Sequence, residues 1–267
     1  MKHIEAHPKR FRSLSEIHQA YGLRKPQHPL ISLTNFDEKN PGNPETAPVY
    51  NVLDFYKITL ITQSGGRLKY GKNYYDFEEG SMLFLAPNQL VGNTKYSEGT
   101  VASILLVHPD FLLGYPLAKK IKQYNYFSYE VNEALHLSDQ EKEIIFSVYC
   151  IIEQELASRL DEFSQNVIIA QIELLLSYAN RFYRRQFITR KAVNHDTSKK
   201  IERILNDYFE KDQARLQGLP TVQMLSDELH ISSGYLSDLL RSLTGLNAQQ
   251  YIHLKLIEFP FFYLTFC

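Results

Sequence analysis

The sequence predicts an α+β chain, β-rich over its first 110 residues and helical afterwards. Three observations carry that prediction. The runs HPLISLTNF, VLDFYKITLITQ, RLKYGKNYYDF, GSMLFLAP and TVASILLVH are short and rich in β-branched and aromatic residues. They are separated by turn clusters such as NPGNPETAP, SGG and PNQ, the pattern of a β-barrel or sandwich. After Pro109 the apolar period changes from two to about 3.6. With 44% apolar and 13% aromatic residues, a chain of 267 residues can build real cores for two domains.

Taken in order, the helical elements are justified by caps and stripes. Ser138 is the expected N-cap of a helix over 139–160, with Ile145, Val148, Ile152 and Leu156 at helical spacing. A second helix over 164–185 carries Ile168, Ile172, Leu175, Ala179 and Phe182 at alternating steps of four and three, flanked by Ile169, Leu176 and Tyr183. That seam needs a partner: either the chain's own β domain and first helix, or a second copy in a homodimer. Periodicity fails over FITRKAVNHDT, so a linker is expected at 189–197, between a first domain over 1–188 and a helical unit over 198–267. In the helical unit, Ile201, Ile204, Leu205, Tyr208 and Phe209 share one side of a first helix. Thr221 caps a second to Leu229, Ser232 caps a third to Thr244, and Asn247 opens a fourth.

Composition narrows the function classes. Lys and Arg number 29 and Asp and Glu 30, so no global charge draws polyanions, and nucleic-acid binding must rest on a local surface. Cys150 and Cys267 have no zinc or disulfide spacing. No segment resembles a signal peptide or reaches the ~20 apolar residues of a membrane span, so a cytoplasmic protein with no membrane partner is expected. None of the nine histidines falls between Val49 and Val107, which removes the His-x-His pair of metal-dependent β-barrel enzymes. His108, before Pro109, reads as an ordinary strand-end residue. Neither a Gly-Lys phosphate loop nor a Gly-x-Ser-x-Gly elbow is present. The chain is expected to be non-enzymatic, with no metal and no cofactor. Strand alternation sends Phe55, Lys57, Tyr70 or Tyr74 to one face or the other, where aromatics are mostly core. The basic run Arg181, Arg184, Arg185, Arg190 and Lys191 reads as a solvated helix end, with phosphate contacts beside a DNA-binding unit as the alternative.

Within LPTVQMLSDELHISSGYLSDLLRSLTG, Val222, Leu225 and Leu229 form one stripe and Leu236, Leu239, Leu240 and Leu243 another, with Ile231 in a tight turn. Two short helices so joined have helix-turn-helix geometry, or are an ordinary helical hairpin. Ser232, Tyr235, Leu236, Leu239, Leu240, Thr244, Gly245 and Tyr251 shift the reading. Together with the downstream YIHLKLIE, this stretch resembles the first helix-turn-helix of AraC-type transcriptional regulators. The resemblance implies a cupin-like β-barrel with a helical dimerisation segment ahead of the DNA-binding unit, DNA as a partner, and control by a small-molecule effector whose identity cannot be read.

With the leucines inward, the opposite arc of the third helix holds Gly234, Asp238 and Arg241, edged by Ser233, Ser237 and Ser242. These six are the expected DNA-facing residues. Only Arg241 is basic. Between Pro220 and Glu258, Arg241 and Lys255 stand against Asp227, Glu228, Asp238 and Glu258, a net charge of about minus two, so DNA binding should be weak. Members of the family usually carry a second reading unit on a long linker helix. Here Pro260 ends that helix near Phe259, and FPFFYLTFC is expected to be an altered or shortened reading frame, with a natural docked tail as the alternative. A dimerisation or ligand-sensing protein that has lost DNA binding is the runner-up function.

Overall fold

The computed structural model describes residues 8–36, 50–63, 67–70, 73–76, 80–92, 94–95, 99–130, 133–158, 161–189, 191–211 and 213–258. It divides into two compact units, Met1–Phe127 with Ala134–Phe182, and Ser128–Glu133 with Tyr183–Cys267.

The first unit is mixed α+β. Its strands are β1 (Lys9–Phe11), β2 (Ile31–Phe36), β3 (Tyr50–Leu53), β4 (Tyr56–Gln63), β5 (Arg67–Tyr70), β6 (Asn73–Asp76), β7 (Ser81–Leu85), β8 (Leu90–Gly92), β9 (Thr94–Lys95), β10 (Val101–Val107) and β11 (Leu135–His136). They form a sheet in the order β1-β3-β8, a sheet in the order β11-β7-β4-β10-β2 and a sheet in the order β6-β5-β9. None of the three closes into a barrel among the described residues. The five expected runs all contain strands. The short strands β1, β8, β9 and β11 were not expected, because two or three residues carry no legible period.

The helices α1 (Leu14–Ala20), α2 (Leu117–Lys120), α3 (Asp139–Ala157) and most of α4 (Ser164–Thr189) complete this unit. Phe11, Leu14, Ile17, Phe36, Leu53, Phe55, Ile104 and Leu106 form one buried cluster, drawn from β1, α1, β2, β3 and β10. The opposite face of the five-stranded sheet supplies Ile58, Leu60 and Met82, all wholly buried. Tyr149 of α3 donates from its hydroxyl to the Ile58 carbonyl at 3.2 Å, which ties that helix to the centre of the sheet. Ser138 caps α3 as expected, in a reciprocal capping box with Glu141.

The seam Ile168, Ile172, Leu175, Ala179 and Phe182 is buried within the single chain, none of it more than 4% exposed. Of the two readings of that seam, packing against the chain's own residues is the one seen. The apolar residues that α4 does expose are Val167, Leu174 and Ile188. The linker expected over 189–197 is helical on both sides of residue 190, where α4 ends at Thr189 and α5 (Lys191–Glu210) begins. That stretch holds neither Gly nor Pro, so nothing in its backbone stops a helix; polarity alone suggested a linker.

The second unit is helical: the last two turns of α4, α5, α6 (Gln213–Gln217), α7 (Val222–Leu229), α8 (Ser233–Thr244) and α9 (Ala248–Glu258). Its core joins Ile201, Leu205, Leu225, Leu236, Leu240, Ala248, Tyr251 and Ile252. Leu243, expected inside, is 39% exposed, in the last turn of α8. The tail 259–267 lies outside the described residues. No described helix is long and apolar enough to cross a membrane.

Candidate nucleic-acid interface

Caps at both ends define the pair α7 and α8. Thr221 accepts from the Met224 amide at 3.1 Å to start α7. The helix stops at His230, which sits in the left-handed region (φ 54°, ψ 44°). The Ile231 amide donates back to the Ser226 carbonyl at 3.0 Å, closing the turn as a Schellman-type cap. Sequence reasoning gave no sign that a histidine would take a conformation usually left to glycine. Two residues later Ser232 caps α8 by accepting from the Tyr235 amide at 3.1 Å. Gly245 ends α8 at φ 81°, its amide donating to the Arg241 carbonyl. Ser226 and Ser233 meet hydroxyl to hydroxyl at 2.9 Å, and Gln223 reaches Ser233, fixing the spacing of the two helices.

Leu236, Leu239 and Leu240 are buried as expected, which turns the opposite arc of α8 outward. Of the six expected DNA-facing residues, Ser233 turns its hydroxyl to Ser226 and Gln223 of α7, and the other five lie on that side but are not equally exposed. Arg241 and Ser242 are exposed, whereas Ser233, Gly234, Ser237 and Asp238 are only half so. Asp238 is occupied from two directions. It accepts from Arg241 Nη1 at 2.6 Å and from the Tyr129 hydroxyl at 2.7 Å. The single cation of the arc is thus paired with the single acid one turn before it.

Tyr129 and Glu133 are the residues that sequence reasoning missed. Both belong to the short segment Ser128–Glu133 of this unit, about a hundred positions from α8. Glu133 is 5% exposed and accepts from the Ser232 amide and the Ser232 hydroxyl, both at 2.6 Å, and from the Glu130 amide at 2.7 Å. Burial pushes its carboxyl above the usual range, and the Ser232 bonds partly offset that. Burial also raises the Tyr129 phenol, with the negative charge of Asp238 adding to it. The Tyr129 ring packs edge-on against Tyr183 and Tyr235, and Tyr235 against Phe187. No pattern in FSYEVNEAL marks these contacts.

On the basic run, Arg181 and Arg184 are exposed on α4, and the side chains of residues 190 and 191 lie outside the described part. In the first unit, His108 stands at the end of β10, capping the following turn through the Asp110 amide. Phe55 is core. Lys57 faces Leu85 and Leu106 across the neighbouring strands, and burial pulls its ammonium down to about 8. The side chains of Tyr70 and Tyr74 are outside the described part. A cleft of about 520 Å3 opens between the loop carrying Arg24 and Lys25, strand β2 with Ser32 and Asn35, and Glu153 of α3. His18, 5% exposed, forms part of its wall and bonds to Ser32 Oγ at 3.1 Å.

No protein-family model matches the sequence, and no curated protein matches it. Among solved structures the chain is similar to the AraC-like transcriptional activator CuxR, at 12% identity and a TM-score of 0.33, over 86% of this chain and 73% of that one. A likeness of that degree fixes neither the detailed fold nor the role of any residue.

Proposed function

We propose that this chain is a non-enzymatic transcription regulator of the AraC type that its sequence resembles, binding DNA with α8 as the reading helix. One observation supports this above the others: two capped helices, α7 and α8, joined by the three-residue turn His230–Ser232 and packed on a common leucine core, with the polar arc of α8 turned away from that core. Gly234, Ser237, Asp238, Arg241 and Ser242 are its groove-facing residues. The first unit is its cupin-like regulatory part. The cleft beside Arg24 and Lys25 is assigned to a small effector carrying an anionic group, because those two cations stand on its wall.

Intrinsic affinity is low. Arg241 is paired, and the stretch 220–258 around it is net acidic, so binding falls near the non-specific regime, with Kd of roughly 10⁻⁴ to 10⁻⁶ M at physiological salt. The test is fluorescence anisotropy with duplexes taken from the promoter region beside the protein's own gene. Binding that Arg241→Ala weakens about five- to a hundredfold at one base position supports a base contact. Binding indifferent to every substitution in the arc refutes α8 as the reading helix.

A further inference from the structure

We propose that Tyr129 and Glu133 act as an autoinhibitory strap that holds the reading helix closed against DNA. The proposal rests on the reading of α8 given above. It comes from where the two anchoring side chains land. Glu133 is bound to the N-terminus of α8, at Ser232. That end of a reading helix approaches the duplex, and free amides at a helix N-terminus attract phosphate. Here the amide and the hydroxyl of Ser232 both already donate to a carboxylate. A phosphate arriving at the same place meets a negative charge and finds its donors taken. In effect Glu133 fills the position of a phosphate.

Tyr129 acts about two turns further along the helix. Its phenol donates to Asp238, and its ring covers Tyr235. Asp238 lies within the outward arc and Tyr235 beside it, so Tyr129 covers that part of the arc while the Arg241 and Ser242 side chains stay exposed. The half-exposure of Asp238, where the helical arc by itself predicts full exposure, fits this cover. The hydrogen bonds and the ring contact name the same segment independently.

A purely structural brace is the competing account. On that account, removing the anchors weakens α8 and lowers DNA binding; on the strap account it raises it. Glu133 serves as a mimic only while charged, so Glu133→Gln keeps its shape and removes the phosphate-like charge. Tyr129→Phe keeps the ring and removes the bond to Asp238.

The experiment measures the full chain, Glu133→Gln, Tyr129→Phe and the double variant by two readouts: anisotropy with a labelled duplex of random sequence at about 100 mM salt, and amide hydrogen exchange over residues 232–238. The strap predicts about five- to tenfold tighter binding for Glu133→Gln, the difference between a charged and a neutral hydrogen bond at such a contact, and a smaller gain for Tyr129→Phe, which loosens the cover but leaves the Asp238 carboxylate in place. Faster exchange at the N-terminus of α8 accompanies it. Equal binding by all four proteins overturns the strap and leaves the DNA reading standing. Weaker binding by the variants overturns it in favour of a brace. Absence of binding in all four, with exchange faster in the variants, overturns the DNA reading and the strap's inhibitory role with it. If the double variant loses helical circular dichroism, Tyr129→Phe alone decides, since it deletes a single oxygen atom.

Discussion

Replacing Asp238 by Asn should convert a neutralised surface into a phosphate-binding one, and the size of the change follows from the pairing seen on α8. Asp238 holds Arg241 Nη1 at 2.6 Å, with the Arg241 side chain 50% and the Asp238 side chain 22% exposed. An ion pair that open to water is worth only about 0.2–1 kcal/mol, so breaking it costs the fold little. Asn keeps an oxygen that can still accept from the Tyr129 hydroxyl, and the rest of the helix surface is unchanged. What changes is that Arg241 is released from its carboxylate and can neutralise one phosphate. Each phosphate neutralised adds about 0.9 to the slope of log affinity against log salt. Between 50 and 200 mM salt that slope amounts to roughly a 3.5-fold steeper loss of binding than in the parent chain. The assay is anisotropy with one labelled duplex at four salt concentrations, on the parent, Asp238→Asn, and Asp238→Asn combined with Arg241→Ala. The slope should steepen in the first variant and return to the parental value in the second. An unchanged slope in Asp238→Asn would refute the reasoning, because Arg241 would then not face phosphate at all.

Two further outcomes concern the first unit. Burial holds the Lys57 ammonium near 8, below its usual 10.5, so the unfolded chain binds more protons between those values and stability rises with pH across that window; below about 8 the whole penalty is present. The shift corresponds to at most about 3 kcal/mol, and partial exposure of the side chain reduces it, so Lys57→Met should stabilise the unit by about 1–2 kcal/mol at pH 7 and flatten the rise between pH 8 and 10.5, read by urea unfolding. A destabilised Lys57→Met chain would mean the ammonium has a partner that this account omits. Leu175, wholly buried in the single chain, should tolerate no charge: Leu175→Glu is expected to cost several kcal/mol and to unfold the unit at every protein concentration, followed by circular dichroism and light scattering. A folded variant that merely dissociates from dimer to monomer would restore the seam as an intermolecular contact.

Local chemistry in the sequence was enough for the features set by a few neighbouring residues. Ser138, Thr221 and Ser232 begin their helices where a cap oxygen can reach an amide three residues on, and Gly245 ends α8 because its positive φ suits glycine. The helix-turn-helix was legible for the same reason. Features set by distant contacts were not. The stripe from Ile168 to Phe182 showed that something packs there, but an apolar seam has no label for its partner. Polarity over 189–197 suggested a linker where the absence of Gly and Pro allows helix. The cover on α8 was beyond reach, since Tyr129 and Glu133 lie 109 and 99 positions from their partners Asp238 and Ser232, and each looks in sequence like an ordinary surface residue. Half of the candidate interface was therefore visible as a face of a helix, while what lies on that face was not.

The most direct test of the central claim is selection from a pool of random-sequence duplexes, performed with the parent chain and with Arg241→Ala and Ser237→Ala. If α8 reads the major groove, the parent enriches a short motif, and each substitution relaxes the preference at its own base position while leaving the rest of the motif intact, at about 1–3 kcal/mol per good base contact. Enrichment no better than the starting pool, or a motif that both substitutions leave untouched, would contradict it.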